Sequence, residues 1–174
     1  VYLDNNVLEQ PFAAIHLAVL ELVRLGKMTF SMIVDSQKAF IENDSEAVKR
    51  VMETEDTVDE LQGKILNYLS AMVSKDTNTE EQGLEISQLM HIAADIEHIG
   101  DHCRNIAEFA DEKIKKSYEF SDEAYSEIYS CFDLAKRMAD DSVTALEKDS
   151  RDIAEGVMRL ENSMNAREKE LRAH

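Results

Sequence analysis

Glu97 and Asp101 stand four residues apart in the run Ile92-Ala-Ala-Asp-Ile-Glu-His-Ile-Gly-Asp-His-Cys-Arg-Asn-Ile-Ala-Glu-Phe109, and Asn105 follows four further on. A helix makes one turn in about 3.6 residues, so this spacing stacks three oxygen-bearing side chains along one stripe. Ile92, Ile96, Ile99, Ile106 and Phe109 are apolar and are expected to face a core. A second pair, Glu55 and Asp59, repeats the spacing within Met52-Glu-Thr-Glu-Asp-Thr-Val-Asp-Glu-Leu61. If the two segments are adjacent antiparallel helices, four carboxylates converge, and their mutual repulsion is tolerable only with cations between them. An oxygen-only ligand set suits magnesium, calcium, manganese or iron better than the sulfur and imidazole sites typical of zinc. A solvated helix also carries such pairs by accident, so metal binding requires the two pairs to face each other.

Neighbouring residues offer weaker chemistry. His98 and His102 have a metal-ligand spacing, but no Glu-x-x-His pair on a second helix accompanies them, and with His91 they read as surface residues. Cys103 reads as a small buried residue. The methionines Met28, Met32, Met52, Met72, Met138 and Met158 read as core. Gly100, inside the acidic helix, is unfavourable there by about 1 kcal/mol relative to alanine. It marks close approach either of a ligand or of another helix. No Ser/His/Asp order, glycine-rich phosphate loop or nucleophile with a base is present, and a di-iron site would need Glu-x-x-His on two helices. An enzyme is therefore not expected.

The elements that must position these residues are long helices. Glycine (5) and proline (1) are scarce among 174 residues, tryptophan is absent and 44% of residues are hydrophobic, which predicts an all-α chain. The first helix is expected from Pro11, a favourable first position, to about Ile41. Asp44 caps the second, Ser45 to Val73; Lys75–Thr79 is a loop. Thr79 with Gln82 forms a capping-box pattern opening the third, to about Lys116. Ser121 caps the fourth, to about Lys148, and Asp149-Ser150 turn into a fifth running to the chain end. Short connections predict antiparallel neighbours in a bundle.

Acidic residues outnumber basic ones 36 to 19, a net charge of −17 that disfavours nucleic acid and anionic membrane surfaces and favours cations. Cys103 and Cys131 fall on different helices without a CxxC pattern and read as reduced thiols of a cytoplasmic protein. The longest apolar stretch, around Ala13 to Val23, is broken by His16 and Glu21, so no membrane span is expected. The sequence starts at Val1 rather than methionine, which is what an excised piece of a longer chain would show.

A gapless shift of 106 residues, the distance from Glu21 to Glu127, also sets Met32 on Met138, Asp35 on Asp141, Ser36 on Ser142, Val51 on Val157 and Glu55 on Glu161. Helices four and five thus read as a second copy of helices one and two. The partner of helix three would fall beyond His174, which leaves an apolar groove and makes a homodimer through helices four and five an expectation.

Ala94-Asp-Ile-Glu-His-Ile-Gly-Asp-His-Cys-Arg-Asn-Ile-Ala-Glu108 resembles the signature helix of the PhoU family of phosphate-uptake regulators, and Val51–Asp59 resembles that family's other acidic helix. The resemblance implies tandem three-helix bundles with multinuclear metal sites: residues 1–10 a lead-in, 11–118 the first bundle, 119–174 an incomplete second bundle lacking its last helix. It implies Glu97, Asp101, Glu55 and Asp59 as metal ligands, Asn105 assisting, and Glu161 and Asn165 as weaker counterparts in the second copy. His98 departs from the arginine usual at its position. Tyr2-Leu-Asp-Asn-Asn-Val-Leu-Glu-Gln-Pro-Phe12 is similar to the segment leading into the PhoU-like domain of bacterial sodium/phosphate cotransporters. The implied function is a metal-binding regulatory domain on the cytoplasmic side of the inner membrane, its partner the membrane transporter portion of the same chain. The alternatives are a stand-alone PhoU-like protein meeting a phosphate transporter in trans, and a structural oligomerisation bundle without metal.

Overall fold

The structure, a computed structural model, describes residues 2–74 and 78–171. Among the described residues every regular element is helical: a single 3-10 turn at Asn5–Val7, then α1 (Pro11–Ile41), α2 (Ser45–Val73), α3 (Glu80–Lys116), α4 (Asp122–Lys148) and α5 (Arg151–Leu171). Of the loop expected at Lys75–Thr79, residues 75–77 lie outside the described residues, as do 172–174 of the expected final helix.

The helix ends form where side chains can satisfy backbone groups that have no partner within the helix. Pro11 opens α1, and the Asp44 carboxylate accepts from the Glu46 and Ala47 amides at 2.9 and 3.1 Å. Thr79 and Gln82 exchange both bonds of a capping box, and Ser121 Oγ accepts from the Ala124 amide. In this glycine-poor chain the left-handed turns after α1, α3 and α4 fall to Asn43 (φ 56°), Ser117 (φ 54°) and Asp149 (φ 47°).

α1, α2 and α3 pack on one another as a bundle, α4 packs on α1, and α5 packs on α4. α2 runs antiparallel to both of its partners: Arg50, early in α2, reaches Asp35, late in α1, at 2.7 Å. α1 and α3 run parallel and end together, where Lys113 Nζ donates to the Phe40 carbonyl at 2.8 Å and to Asn43 Oδ1 at 2.6 Å. Lys113 is only 1% exposed, and its ammonium lies 5.2 Å from the ring centroids of Phe40 and Tyr125. There it meets the carbonyl-rich end of α1, where a cation is favoured. α4 runs back along α1, with Lys27 paired to Glu147 at 2.7 Å. The lead-in segment is tied down by the Tyr2 amide on the Glu21 carboxylate and by Tyr68 donating to the Asp4 carbonyl.

The sequence placed the core face of α3 on its isoleucines, and the structure moves it. Beyond the buried Ile86 and Leu89 of its first turns, the buried stripe is Ala93, Gly100, Cys103, Ala107 and Ala110, small residues that let α3 settle closely between α1 and α2. Ile99 and Phe109 are substantially exposed, while Ile92, Ile96 and Ile106 are half-buried on a flank. Ile92, Ile96 and Ile99, with Phe30 and Ile33 of α1 and Met138 of α4, line an open apolar groove of about 500 Å³. This groove lies between the first bundle and the α4–α5 hairpin.

Candidate functional site

The acidic face forms where α2 and α3 run side by side. On α3, Glu97 and Asp101 are half-buried; on α2, Glu55 is 3% exposed while Asp59 lies at the surface. Burial raises the proton affinity of Glu97 above the ordinary carboxylate range, and the negative charges of Asp101, Asp59 and Glu55 raise it further. The four carboxylates expected to share a site therefore share a field. They do not form a closed cage: among the described residues no three His, Cys, Asp or Glu side chains group tightly enough to hold one ion.

Arg104, which the sequence reading passed over, accounts for Glu55. Its Nη1 donates to Glu55 Oε2 at 2.8 Å, and its Nε lies 3.3 Å from Glu108 Oε1. The guanidinium is held firmly protonated, first by its bond to Glu55 and then by Glu108. A signal for it was present in the spacing. Each four-residue step drifts about 40° around a helix, so Glu97, Asp101 and Asn105 turn progressively away from α2, whereas a seven-residue step from Glu97 to Arg104 returns to within about 20°. Asn105 is accordingly exposed.

Gly100 resolves in favour of helix contact. A Cβ there would lie 3.4 Å from Val58 Cγ1 of α2, so its smallness serves the α2–α3 approach that brings the two acidic pairs side by side. His91, His98 and His102 are exposed. Cys103 is buried, and burial pushes its thiol up to about 11, which makes it an inert packing group. Glu161 and Asn165 are exposed on α5, which among the described residues packs on α4.

Asp59, Glu97 and Asp101 have no salt bridge among the described residues; of the four carboxylates only Glu55 is paired, to the Arg104 that also reaches Glu108. Hard oxygen donors with uncompensated negative charge suit a hard cation by ligand type and by electrostatics.

Residues 22–110, from α1 through nearly all of α3, match the PhoU domain family. Over 93 residues, 53% of this chain and 41% of the relative, the sequence is 31% identical to a phosphate-specific transport system accessory protein PhoU homolog of Clostridium acetobutylicum. Over 88 residues, 51% of this chain and 37% of the relative, it is 30% identical to PhoU homolog 1 of that accessory protein in Thermotoga maritima. The chain thus spans less than half the length of these curated relatives. No solved structure matches the chain significantly. The matched stretch contains every residue of the α2–α3 acidic face, and the chain belongs to the PhoU domain family.

Proposed function

We propose that the chain is a non-enzymatic regulator of phosphate transport whose α2–α3 face takes up divalent or trivalent cations. What supports the metal assignment is the placement of Glu97 and Asp101 on α3 beside Glu55 and Asp59 on the adjacent α2, hard oxygen donors of which only Glu55 has a salt bridge among the described residues. A bound ion would neutralise that face and offer coordination positions to phosphate oxygens. Phosphate as the transported substrate rests on the family and on the names of the relatives.

Two settings fit. The opening segment, similar to that of cotransporter-linked domains, favours a regulatory domain on the cytoplasmic side of a sodium/phosphate cotransporter, and its firm attachment through Glu21 and Tyr68 would couple such a membrane portion to the bundle. The relatives named as accessory proteins favour a separate protein acting on a phosphate transporter in trans. Among the described residues no helix is long and apolar enough to cross a membrane.

Elemental analysis tests the site. The protein and a Glu97→Ala/Asp101→Ala variant would be stripped, reloaded with iron, manganese, magnesium or calcium, and dialysed. Stoichiometric metal in the parent and its loss in the variant is the expected result. Equal, negligible metal in both would leave a structural helical module.

A further inference from the structure

The α4–α5 hairpin is fastened unequally along its length. At the start of α4 the joint is buried. The Lys113 ammonium lies 5.2 Å from the ring centroids of Phe40 on α1 and Tyr125 on α4, and donates to the Phe40 carbonyl and Asn43 Oδ1. A cation so close to a ring is attracted to it, the more so once removed from water. Phe120, on the connection into α4, adds ring contacts to Phe40 at 5.7 Å and to Tyr125 at 6.0 Å. Ile128 and Phe132 follow, large side chains packed against the core. Further along α4 the side chains that reach the core shrink to Ala135 and Ala139 before Leu146. There Val143 rests on Gly26, and Lys27 pairs with Glu147, both side chains about half exposed. Burial stabilises in proportion to the apolar area removed from water, and an exposed ion pair adds little. The apolar groove lies at this weaker end, lined there by Val143 and Leu146 of α4 and by Ile92 and Ile96 of α3.

We propose that the α4–α5 hairpin is an arm hinged at the Lys113 joint, that its far end lifts from α1 to lay the groove open, and that the Lys27–Glu147 pair is its latch. The joint ties three helices at one place: Lys113 comes from α3, its oxygen acceptors from the end of α1 and the turn after it, and one of its rings from α4. The connection from α3 to α4, residues 117–121, is exposed and belongs to neither helix, so it can absorb a tilt of the arm. Lifting the far end uncovers Phe30, Ile92 and Ile96 as part of one apolar surface. The latch therefore governs whether the molecule presents that surface to a partner.

Charge exchange across the latch is the test. Lys27→Glu sets two carboxylates against each other, and Lys27→Glu/Glu147→Lys restores an opposite pair in reversed order. Amide hydrogen exchange and binding of Nile red, a neutral dye that brightens on apolar surface, are read on the parent, both variants and Lys113→Met. Lys27→Glu should speed exchange at residues 143–146 and in α5 about fivefold and increase dye binding, while residues 125–132 and α1–α3 stay as in the parent. The swapped double variant should return every reading to the parent's. Lys113→Met should speed exchange along the whole of α4, because the hinge itself has gone. Equal acceleration along α4 in Lys27→Glu, or a swapped variant that behaves like the single one, overturns the hinge and latch. Faster exchange at the far end without more dye bound would mean that α4 frays without lifting, and overturns them too. Lys27 and Glu147 are both about half exposed, so the latch substitutions remove no buried contact. Should Lys113→Met fail to fold, Tyr125→Leu, which removes the α4 ring from the ammonium, takes its place with the same expected result.

Discussion

Glu21, Glu55 and Glu97 are withdrawn from bulk water to different degrees and meet the change differently. Glu21, fully buried, pairs with Arg24 at 2.6 Å and accepts the Tyr2 amide; Glu55 takes Arg104; Glu97 has only other acids for charged neighbours apart from His98. Burial first, and then those acids, make Glu97 bind its proton more tightly in the folded chain than its ordinary value of 4.5 implies. The native state then holds more protons than the unfolded chain between 4.5 and that raised value, so stability falls as pH rises through this window and stays lower above it. In metal-free buffer Glu97→Gln should therefore melt above the parent at neutral pH, the two curves converging as pH drops to 4.5 and below. Thermal melts by circular dichroism across that range check this, and parallel curves would remove Glu97 from the list of strained groups.

The helices touch where glycine and alanine permit it. A Cβ on Gly26 would lie 2.7 Å from Val143 Cγ2, so α1 and α4 meet there at a distance that only glycine allows. Alanine normally improves a helix interior by about 1 kcal/mol over glycine, but overpacking against a stiff β-branched side chain costs about 1–3 kcal/mol. Gly26→Ala should thus destabilise the parent by roughly 1 kcal/mol, yet stabilise a Val143→Ala background where the obstructing methyl is gone. Gly63, with no atom within 4 Å of a built Cβ, is the control: alanine there should gain about 0.5–1 kcal/mol. Urea unfolding of the parent and the four variants gives the signs, and an identical sign at Gly26 in both backgrounds would refute the close crossing.

Across the whole molecule, burial is uneven. The continuous core cluster is built from α1, α2 and α3; α4 contributes only partly buried side chains to it, with no fully buried residue of its own. α5 is one step further out, held through α4. Local opening follows buried contact, so native-state hydrogen exchange should release α5 first, then α4, with the buried turns of α1–α3 protected about tenfold or more beyond them. Uniform protection along all five helices would instead mean that the hairpin and the bundle unfold as one unit.

Helix bounds were legible in the sequence because they are set locally. Pro11, Asp44, Thr79 with Gln82, and Ser121 each act on backbone groups within one turn, and each cap forms where its residue type predicts. The acidic pairs were legible for the same reason, since a four-residue spacing is a property of one helix. Which flank of α3 is buried was not, because alanine, glycine and cysteine carry weak hydrophobic signals and become the core only when two neighbouring helices close on them. Nor could spacing alone pair Arg104 with Glu55, 49 residues away, or send Lys113 to the end of α1, 73 residues away. Local chemistry decided what each helix is. The partners of Glu55 and Lys113 were decided only by packing, because the groups that meet these buried charges come from distant parts of the chain.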